Sequence, residues 1–159
     1  MAASPKSTAI PPYPPGLVGK IAKFTARRLP YKMPNIAMAT GLAAVSRLND
    51  HRSVVVAPSG RLTPLNLYLL VTGHTGSGKE TMREVLNMIG RAVTTVDQEG
   101  LISDDFASPQ ALARVLSEHS ATALLLFMDE FGHRLNQAKH SPGSSSASLN
   151  ALLLEMHGL

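Results

Sequence analysis

The sequence of 159 residues is defined first by what it lacks, beginning with cysteine. Without cysteine, the chain can form no disulfide and no thiolate-ligated metal site. It also lacks a long hydrophobic segment, since its longest apolar runs, residues 67–71 and 123–128, are far too short to span a bilayer. No charged n-region followed by an apolar h-region opens the sequence, so no secretory signal is predicted. We therefore expect a cytoplasmic protein without a membrane partner.

Charge is also scarce, because Asp, Glu, Lys and Arg make up only 16% of the sequence, whereas 44% is hydrophobic. This balance is typical of a globular chain with a core, and the length favours one domain. The charges are unevenly divided. Residues 1–61 carry nine Lys or Arg and one acid, whereas residues 62–159 carry six Lys or Arg and ten acids. The asymmetry indicates either a basic face for nucleic acid on an acidic catalytic body, or ordinary solvated surface.

The most informative stretch is residues 66–81, where an apolar run leads into a loop with three glycines and then a lysine. Residues 73–79 read Gly-His-Thr-Gly-Ser-Gly-Lys and match the P-loop pattern G-x-x-x-x-G-K. Glycines let the backbone curl so that successive N–H groups point at an anion, and the following helix adds its positive dipole end. The alternative is a glycine-rich surface turn followed by a chance lysine. The strand-to-helix context favours the P-loop, so the sequence predicts phosphate binding here.

Nine consecutive residues are predicted to surround the phosphates, and the Lys79 ammonium group would reach the β- and γ-phosphates. They are Gly73, His74, Thr75, Gly76, Ser77, Gly78, Lys79, Glu80 and Thr81. Glu80 departs from the motif, because most P-loops carry at this position a Ser or Thr whose hydroxyl ligates Mg²⁺. Thr81 lies about 100° further around the helix and cannot simply replace that hydroxyl. The motif therefore predicts nucleotide binding and leaves hydrolysis open.

Three regions are predicted along the chain. They are a proline-rich, disordered lead-in (residues 1–16), a basic helical extension (17–50) and a partial P-loop core (51–159). Within the extension, one helix over residues 17–29 is predicted to bury Leu17, Ile21 and Phe24. A second helix over residues 35–48 is predicted to place Met38, Leu42 and Val45 on one apolar stripe. The first helix presents basic residues that would either bind DNA phosphates or stay hydrated. They are Lys20, Lys23, Arg27 and Arg28.

Further elements of the core are predicted from periodicity and turn signals. A β-branched run at residues 53–57 predicts a strand that is either covered on both faces or part of an added hairpin, and the P-loop strand begins near Asn66. The helix after Lys79 is predicted to stop near Gly90, with a short strand around residues 92–96. Its inward side chains are Met82, Val85, Leu86 and Ile89.

The later elements are predicted in the same way. Ser108 and Pro109 predict the N-cap and first position of a helix that ends near Glu118. After it, residues 133–140 are predicted to be a polar segment, residues 141–148 a flexible loop and residues 149–158 a last amphipathic helix.

A second apolar run, residues 122–128, ends in Asp129 and Glu130. A fully apolar run predicts a buried parallel strand, and acids at its carboxyl end lie where open α/β sheets bind ligands. This is the expected position of a Walker B element. Asp129 is predicted to hold Mg²⁺, mainly through water, and Glu130 to polarise the attacking water. The alternative is an ordinary polar strand end.

Four stretches together resemble the phage- and plasmid-associated P-loop proteins of the DUF3987 group, which are related to primase-associated helicases. The stretches are residues 73–79, 108–112, 124–132 and 152–158. The resemblance covers roughly residues 33–158. It implies an α/β P-loop NTPase core of the RecA or AAA type, with a parallel sheet and flanking helices, that uses ATP with Mg²⁺ to replicate mobile-element DNA.

Two features depart from this pattern. Glu80 replaces the usual Ser or Thr, although bacterial enhancer-binding activators of the AAA class are similar in carrying Gly-Lys-Glu. The sequence also stops at Leu159, before the strands that bear a sensor residue and an arginine finger in such cores. We therefore expect an incomplete core, truncated after the Walker B region.

These observations predict an ATP-binding, Mg²⁺-dependent NTPase domain of a replication helicase- or primase-type protein, with Lys79 and Glu130 as catalytic residues. Single-stranded or duplex DNA is the expected partner, and an active ATPase is expected to be a homo-oligomer. A nucleotide-binding regulatory or assembly module without turnover is the alternative. A small-molecule kinase would need a lid with arginines, and residues 131–159 offer only Arg134.

Overall fold

The computed structural model describes residues 13–49, 54–60, 62–64, 67–93, 102–103, 108–118, 125–128, 131–140, 148 and 151. Helices account for most of these residues. They belong to two compact units. The first unit contains the described residues up to Val45 together with Leu69–Leu86, and the second contains those within Ser46–Tyr68 and from Asn87 onwards. In the part of the chain that is described, no helix has both the length and the apolar composition needed to cross a bilayer.

Two helices open the described chain: α1 spans Gly16–Ala26 and α2 spans Pro34–Asn49. They confirm the two helices predicted from periodicity. Pro30 lies between them, and its ring cannot continue a helix because it fixes φ and removes an amide donor. Pro34 occupies the first position of α2, where a missing N–H is no loss.

The buried faces of α1 and α2 differ from the predicted ones. Leu17 and Phe24 on α1 and Leu42 on α2 are exposed, so the predicted stripes of large apolar residues are wrong at these positions. Most of the buried positions hold small residues instead. The buried residues of the two helices are Gly19, Ile21, Ala22, Thr25, Ile36, Ala37, Ala39, Thr40, Gly41, Ala43 and Ala44. A Cβ added at Gly41 would lie 2.6 Å from the Val18 carbonyl oxygen, and backbones this close leave room only for small side chains.

Two buried threonines have satisfied hydroxyl groups within these helices. Thr25 Oγ1 donates to the Ile21 carbonyl at 2.9 Å, and Thr40 Oγ1 donates to the Ile36 carbonyl at 2.8 Å. A buried hydroxyl without a partner would cost about 1–3 kcal/mol. These bonds within one helical turn therefore allow a polar residue to occupy the core.

The β-branched run forms a hairpin. Its strands, β1 (Val54–Val56) and β2 (Leu62–Pro64), pair antiparallel with Val55 opposite Thr63. In the connecting turn, the Gly60 N–H donates to the Ala57 carbonyl at 2.8 Å. Because Val54 and Val56 are exposed, the hairpin alternative is confirmed and a strand covered on both faces is wrong.

The residues before the glycine-rich loop do not form the predicted P-loop strand. Residues 67–74 have no regular secondary structure. The side chains of residues 67–70 are exposed, and 74% of the Leu70 surface is accessible to solvent. A strand needs a second strand to pair with its N–H and C=O groups, and none of the described strands pairs with this segment.

The next helix, α3, spans Lys79–Val93 and begins directly after the loop. Met82, Val85 and Leu86 are buried as predicted, and Ile89, the fourth residue of the predicted face, is half-buried. The helix continues past Gly90, where it was predicted to stop. A glycine in a helix costs only about 1 kcal/mol relative to alanine, and it does not end this one.

Two further helices follow. The helix α4 spans Pro109–Glu118, as predicted, and the Ala111 N–H donates to the Ser108 Oγ at 3.3 Å, which confirms the N-cap. The helix α5 spans Phe131–His140, where no helix was predicted. Its sequence is mostly polar and gives little periodic signal.

The predicted fold class, an α/β P-loop NTPase core with a parallel sheet and flanking helices, is wrong. Such a core needs several parallel strands side by side. The described residues are mainly helical and contain two separate two-stranded sheets. One is the antiparallel hairpin. In the other, β3 (Ile102–Ser103) and β4 (Leu125–Leu126) pair in parallel over only two residues each. The segment before the glycine-rich loop joins neither sheet.

Several predictions fall on residues outside the described ranges. They concern the lead-in at residues 1–12, the strand start at Asn66, residues 94–96, Asp129, Glu130, the loop at residues 141–147 and most of the last helix at 149–158.

Candidate phosphate-binding site

The glycine-rich loop, residues 73–78, adopts a conformation that requires glycine at two positions. Gly76 has a φ of 78° and Gly78 a φ of 93°. Both lie in the left-handed region, which other residues adopt only with strain. Left-handed residues at alternate positions turn successive N–H groups towards one side, as in anion-binding nests. The two glycines therefore supply left-handed positions of the kind that such a nest uses.

Where the loop meets α3, three amide groups lack a backbone acceptor in the described part of the chain. The Ser77 N–H donates to the His74 carbonyl at 3.1 Å, and the Thr81 N–H donates to the Gly78 carbonyl at 3.0 Å. Between these two bonds, the N–H groups of residues 78–80 have no backbone acceptor among the described residues. Unsatisfied N–H groups and the positive end of the helix dipole make this terminus suitable for an anion.

The first turn of α3 carries the charged side chains of the site. Lys79 is half-buried, Glu80 is exposed and Thr81 is half-buried. Within the described residues, Lys79 makes no ion pair. The positive end of the helix dipole destabilises a cation placed beside it. An anion that binds here would therefore stabilise both the Lys79 ammonium group and the start of the helix. The Glu80 carboxylate acts in the opposite sense, because it repels an incoming phosphate.

Ser77 is buried within the loop, with only 7% of its surface exposed. Its Oγ has no hydrogen-bond partner in the described part of the chain. The hydroxyl is directed towards Gly73, since a Cβ added at Gly73 would lie 2.5 Å from the Ser77 Oγ. A buried hydroxyl without a partner is destabilising by about 1–3 kcal/mol. A bound oxyanion would supply the missing acceptor.

The turn between α1 and α2 contacts the glycine-rich loop at Gly78. A Cβ added there would lie 2.6 Å from the Leu29 Cδ2 and 2.9 Å from the Pro30 Cδ. Glycine at position 78 is therefore required by its φ and by this contact. Leu29 carries no local sequence signal for such a role, and Pro30 signals only the end of a helix. Residues so far apart in sequence meet only through the fold.

The predicted Mg²⁺ ligand Asp129 and the predicted catalytic residue Glu130 lie outside the described residues. Residues 125–128 precede them and belong to the second compact unit, whereas the glycine-rich loop belongs to the first. Among the side chains that the structure describes, no group of three or more His, Asp or Glu could hold a metal ion.

The four predicted DNA-binding side chains are all exposed, and they are Lys20, Lys23, Arg27 and Arg28. The Arg28 guanidinium lies over the Phe24 ring, 5.1 Å from its centroid. These residues belong to the same compact unit as the glycine-rich loop.

Two side chains away from the loop have shifted titration. Partial burial raises the pKa of the Tyr68 phenol, although 48% of the residue's surface is exposed. A hydrogen bond from the exposed Arg114 guanidinium to Glu118, at 2.8 Å, raises the pKa of Arg114. Both shifts favour the form already present at neutral pH, so neither group adds a pH-dependent charge.

No protein-family model matches the chain, and neither a curated protein nor a solved structure shows a significant match to it. The local geometry of the loop and of α3 is therefore the basis on which a function can be argued.

Proposed function

We propose that this protein binds a nucleoside triphosphate, with ATP as the ligand, and that the glycine-rich loop and the first turn of α3 hold the phosphates. The observation that carries the proposal is the set of three amides, at residues 78–80, without a backbone acceptor in the described chain at the positive end of α3. Lys79 and the buried Ser77 hydroxyl lie in the same short stretch. A polyphosphate has enough oxygen atoms to satisfy all of these donors.

Each group has a distinct role in this proposal. The amides and the Ser77 hydroxyl donate to phosphate oxygens, and the Lys79 ammonium group neutralises the β- and γ-phosphates. Mg²⁺ prefers oxygen ligands and keeps several waters, so the Glu80 carboxylate fits an ion held mainly by the phosphates. When bound, Mg²⁺ neutralises the charge that develops on the phosphoryl oxygens.

The proposal extends to hydrolysis through Asp129 and Glu130. Asp129 would hold Mg²⁺ and Glu130 would orient the attacking water for in-line displacement, which requires mainly positioning and charge neutralisation. The motif resemblance supports a cytoplasmic helicase- or primase-type protein of a mobile element, assembled as a homo-oligomer on single-stranded or duplex DNA.

Isothermal titration of ATP with Mg²⁺ into wild-type protein and the Lys79→Ala variant tests the binding site. Loss of a charge-assisted hydrogen bond costs about 1.5–3 kcal/mol, so Lys79→Ala is expected to weaken ATP binding by about 10- to 100-fold. The control is Lys139→Ala, which removes the same charge from an exposed position on α5 and should not change the affinity. Equal affinities for all three proteins would refute the assignment of the loop.

A nucleotide-binding regulatory or assembly module without turnover is the second candidate. It is favoured by Glu80 in place of the usual hydroxyl. Phosphate release at high protein concentration, with and without single-stranded DNA, separates the two candidates. Release that Glu130→Gln abolishes would support the ATPase. If the wild-type protein binds ATP but releases no more phosphate than the Glu130→Gln variant, the result would support the module.

A further inference from the structure

The N-terminal helices carry charge of only one sign. Residues 13–49 contain six basic residues and no acidic residue. Five of the basic side chains are exposed and form what we call the basic surface: Lys20, Lys23, Arg27, Arg28 and Lys32. Because the segment has no Asp or Glu, these cations have no acid within it to neutralise them. A surface of this kind attracts polyanions.

Three of these cations share one face of α1. At about 100° per residue, Lys20, Lys23 and Arg27 lie within about 60° of one another around the helix axis. Arg27 continues the helical backbone as the C-cap residue. This face is opposite to the buried face that Ala22 and Thr25 form. The charges therefore form a row about 10 Å long on the outside of the helix.

Two aromatic rings are exposed among these cations. Phe24 is 41% exposed and Tyr31 is 67% exposed. Phe24 lies about 40° from Lys20 around α1, and its ring is in cation–π contact with the Arg28 guanidinium. Aromatic rings next to cations are the two parts of a surface for unpaired bases, since rings stack on bases and cations bind phosphates.

We propose that the basic surface, together with Phe24 and Tyr31, binds single-stranded nucleic acid. A duplex would leave the rings unused, because its bases are already stacked on one another. A membrane surface would need a continuous apolar face, whereas the apolar face of α1 is buried and only Leu17 and Phe24 remain as large exposed apolar side chains on this helix. The proposal does not depend on ATP binding, because it uses no residue of the glycine-rich loop.

Fluorescence anisotropy of the full chain with a labelled oligothymidine strand tests the proposal, and parallel titrations use oligouridine, duplex DNA and phosphatidylserine vesicles. For single strands, the logarithm of the affinity falls with the logarithm of salt concentration by about 0.7 per neutralised phosphate. The triple variant Lys20→Gln/Lys23→Gln/Arg27→Gln is therefore expected to bind at least about 10-fold more weakly. The slope of its log affinity against log salt concentration should be smaller in magnitude by about 2. Tight binding of oligothymidine or oligouridine supports the proposal, and the ratio of the two affinities compares a DNA strand with an RNA strand.

Substitutions of Phe24 separate stacking from charge. Phe24→Ala and Phe24→Leu are each expected to weaken binding by about 5- to 100-fold, and Phe24→Tyr to retain it, because one base–ring stack contributes that much. The charge control is the double variant Arg91→Gln/Lys139→Gln, which removes two exposed charges from the second compact unit. Circular dichroism verifies that each variant keeps its helices. Wild-type affinity in the triple variant, binding of vesicles but not of strands, or duplex binding that Phe24→Ala leaves unchanged would each overturn the proposal.

Discussion

The two flanks of the glycine-rich loop differ although both carry strong sequence patterns. On the C-terminal side, α3 forms with the buried face that its periodicity predicts. On the N-terminal side, the apolar run at residues 67–71 forms no strand, and most of its side chains are exposed. A helix makes its hydrogen bonds within itself, four residues apart, whereas a strand needs a second strand. An apolar pattern therefore predicts a helix better than it predicts a strand.

The same difference affects how the loop is held. A P-loop strand would fix the N-terminal end of the loop within a sheet, and here no described strand pairs with residues 67–74. The contact of Leu29 and Pro30 with Gly78 holds the other end instead. The stability of the loop should thus depend on α3 and on the turn between α1 and α2, rather than on residues 67–71.

The largest expected effect compares the same substitution on both flanks. Leu86 in α3 is 3% exposed, so Leu86→Ala leaves a cavity and should lower the free energy of unfolding by about 2–5 kcal/mol. Leu70 is largely exposed, so Leu70→Ala should change it by no more than about 0.5 kcal/mol. Urea denaturation followed by circular dichroism measures both. A loss of several kcal/mol for Leu70→Ala would mean that residues 67–71 pack in a core, and the comparison would fail.

Local signals account for the parts of the fold that could be predicted. The α3 helix shows a periodic apolar face, and Ser108 with Pro109 marks the start of α4. The α5 helix was missed because residues 131–140 are mostly polar. The burial predicted for Leu17 and Phe24 was wrong because the close approach at Gly41 decides which side chains fit, whereas Ile21 is buried as predicted. That approach depends on a second helix and leaves no pattern in the sequence of the first.

Some features of the candidate site could likewise be predicted from the sequence, and others could not. The motif predicted the glycines that take positive φ and the position of Lys79 at the start of α3. It could not indicate that the Ser77 hydroxyl is buried without a described partner, or that Leu29 contacts the loop. Both depend on residues that come together only in three dimensions.

The second prediction concerns the contact that holds the loop. Gly76→Ala introduces only backbone strain, because an added Cβ meets nothing within 4 Å, and it should cost about 1–2 kcal/mol of stability. Gly78→Ala adds a clash with Leu29 and Pro30 and should cost at least about 1 kcal/mol more. Thermal and urea unfolding of the two variants measure the difference.

A double variant isolates the clash from the strain. Leu29→Ala removes the nearer of the two contacting side chains, so Gly78→Ala should cost less in that background than in the wild type. The Gly76→Ala cost should stay the same in both backgrounds. If Gly76→Ala and Gly78→Ala are equally destabilising in every background, the turn between α1 and α2 does not hold the loop.

The third prediction separates stability from binding at Ser77. Ser77→Ala removes a buried hydroxyl that has no partner in the described residues, so the free energy of unfolding should rise by about 1 kcal/mol. ATP affinity should fall by about 3- to 10-fold, because a hydrogen bond to phosphate is lost. Urea unfolding and calorimetric titration measure the two quantities on the same sample. Lower stability together with unchanged ATP affinity would contradict the role given to this hydroxyl.

The smallest expected effect tests the charge next to the unsatisfied amides on the C-terminal flank. Glu80 and Glu84 are both exposed and lie one turn apart on α3. Two charges about 4 Å apart in water interact by about 1 kcal/mol, which is the repulsion expected between Glu80 and a phosphate at the start of α3. Salt screens the repulsion between the phosphate and the more distant Glu84. Without Mg²⁺, Glu80→Gln should therefore bind ATP about two- to fivefold more tightly than wild type, and Glu84→Gln should bind like wild type. If the Glu80 carboxylate ligates Mg²⁺, the gain in ATP affinity should disappear when Mg²⁺ is present. Titrations in chelator and in Mg²⁺ separate the repulsion of phosphate from the binding of the metal. Equal gains for both variants would place the phosphates away from the start of α3, and the C-terminal flank would lose its assigned role.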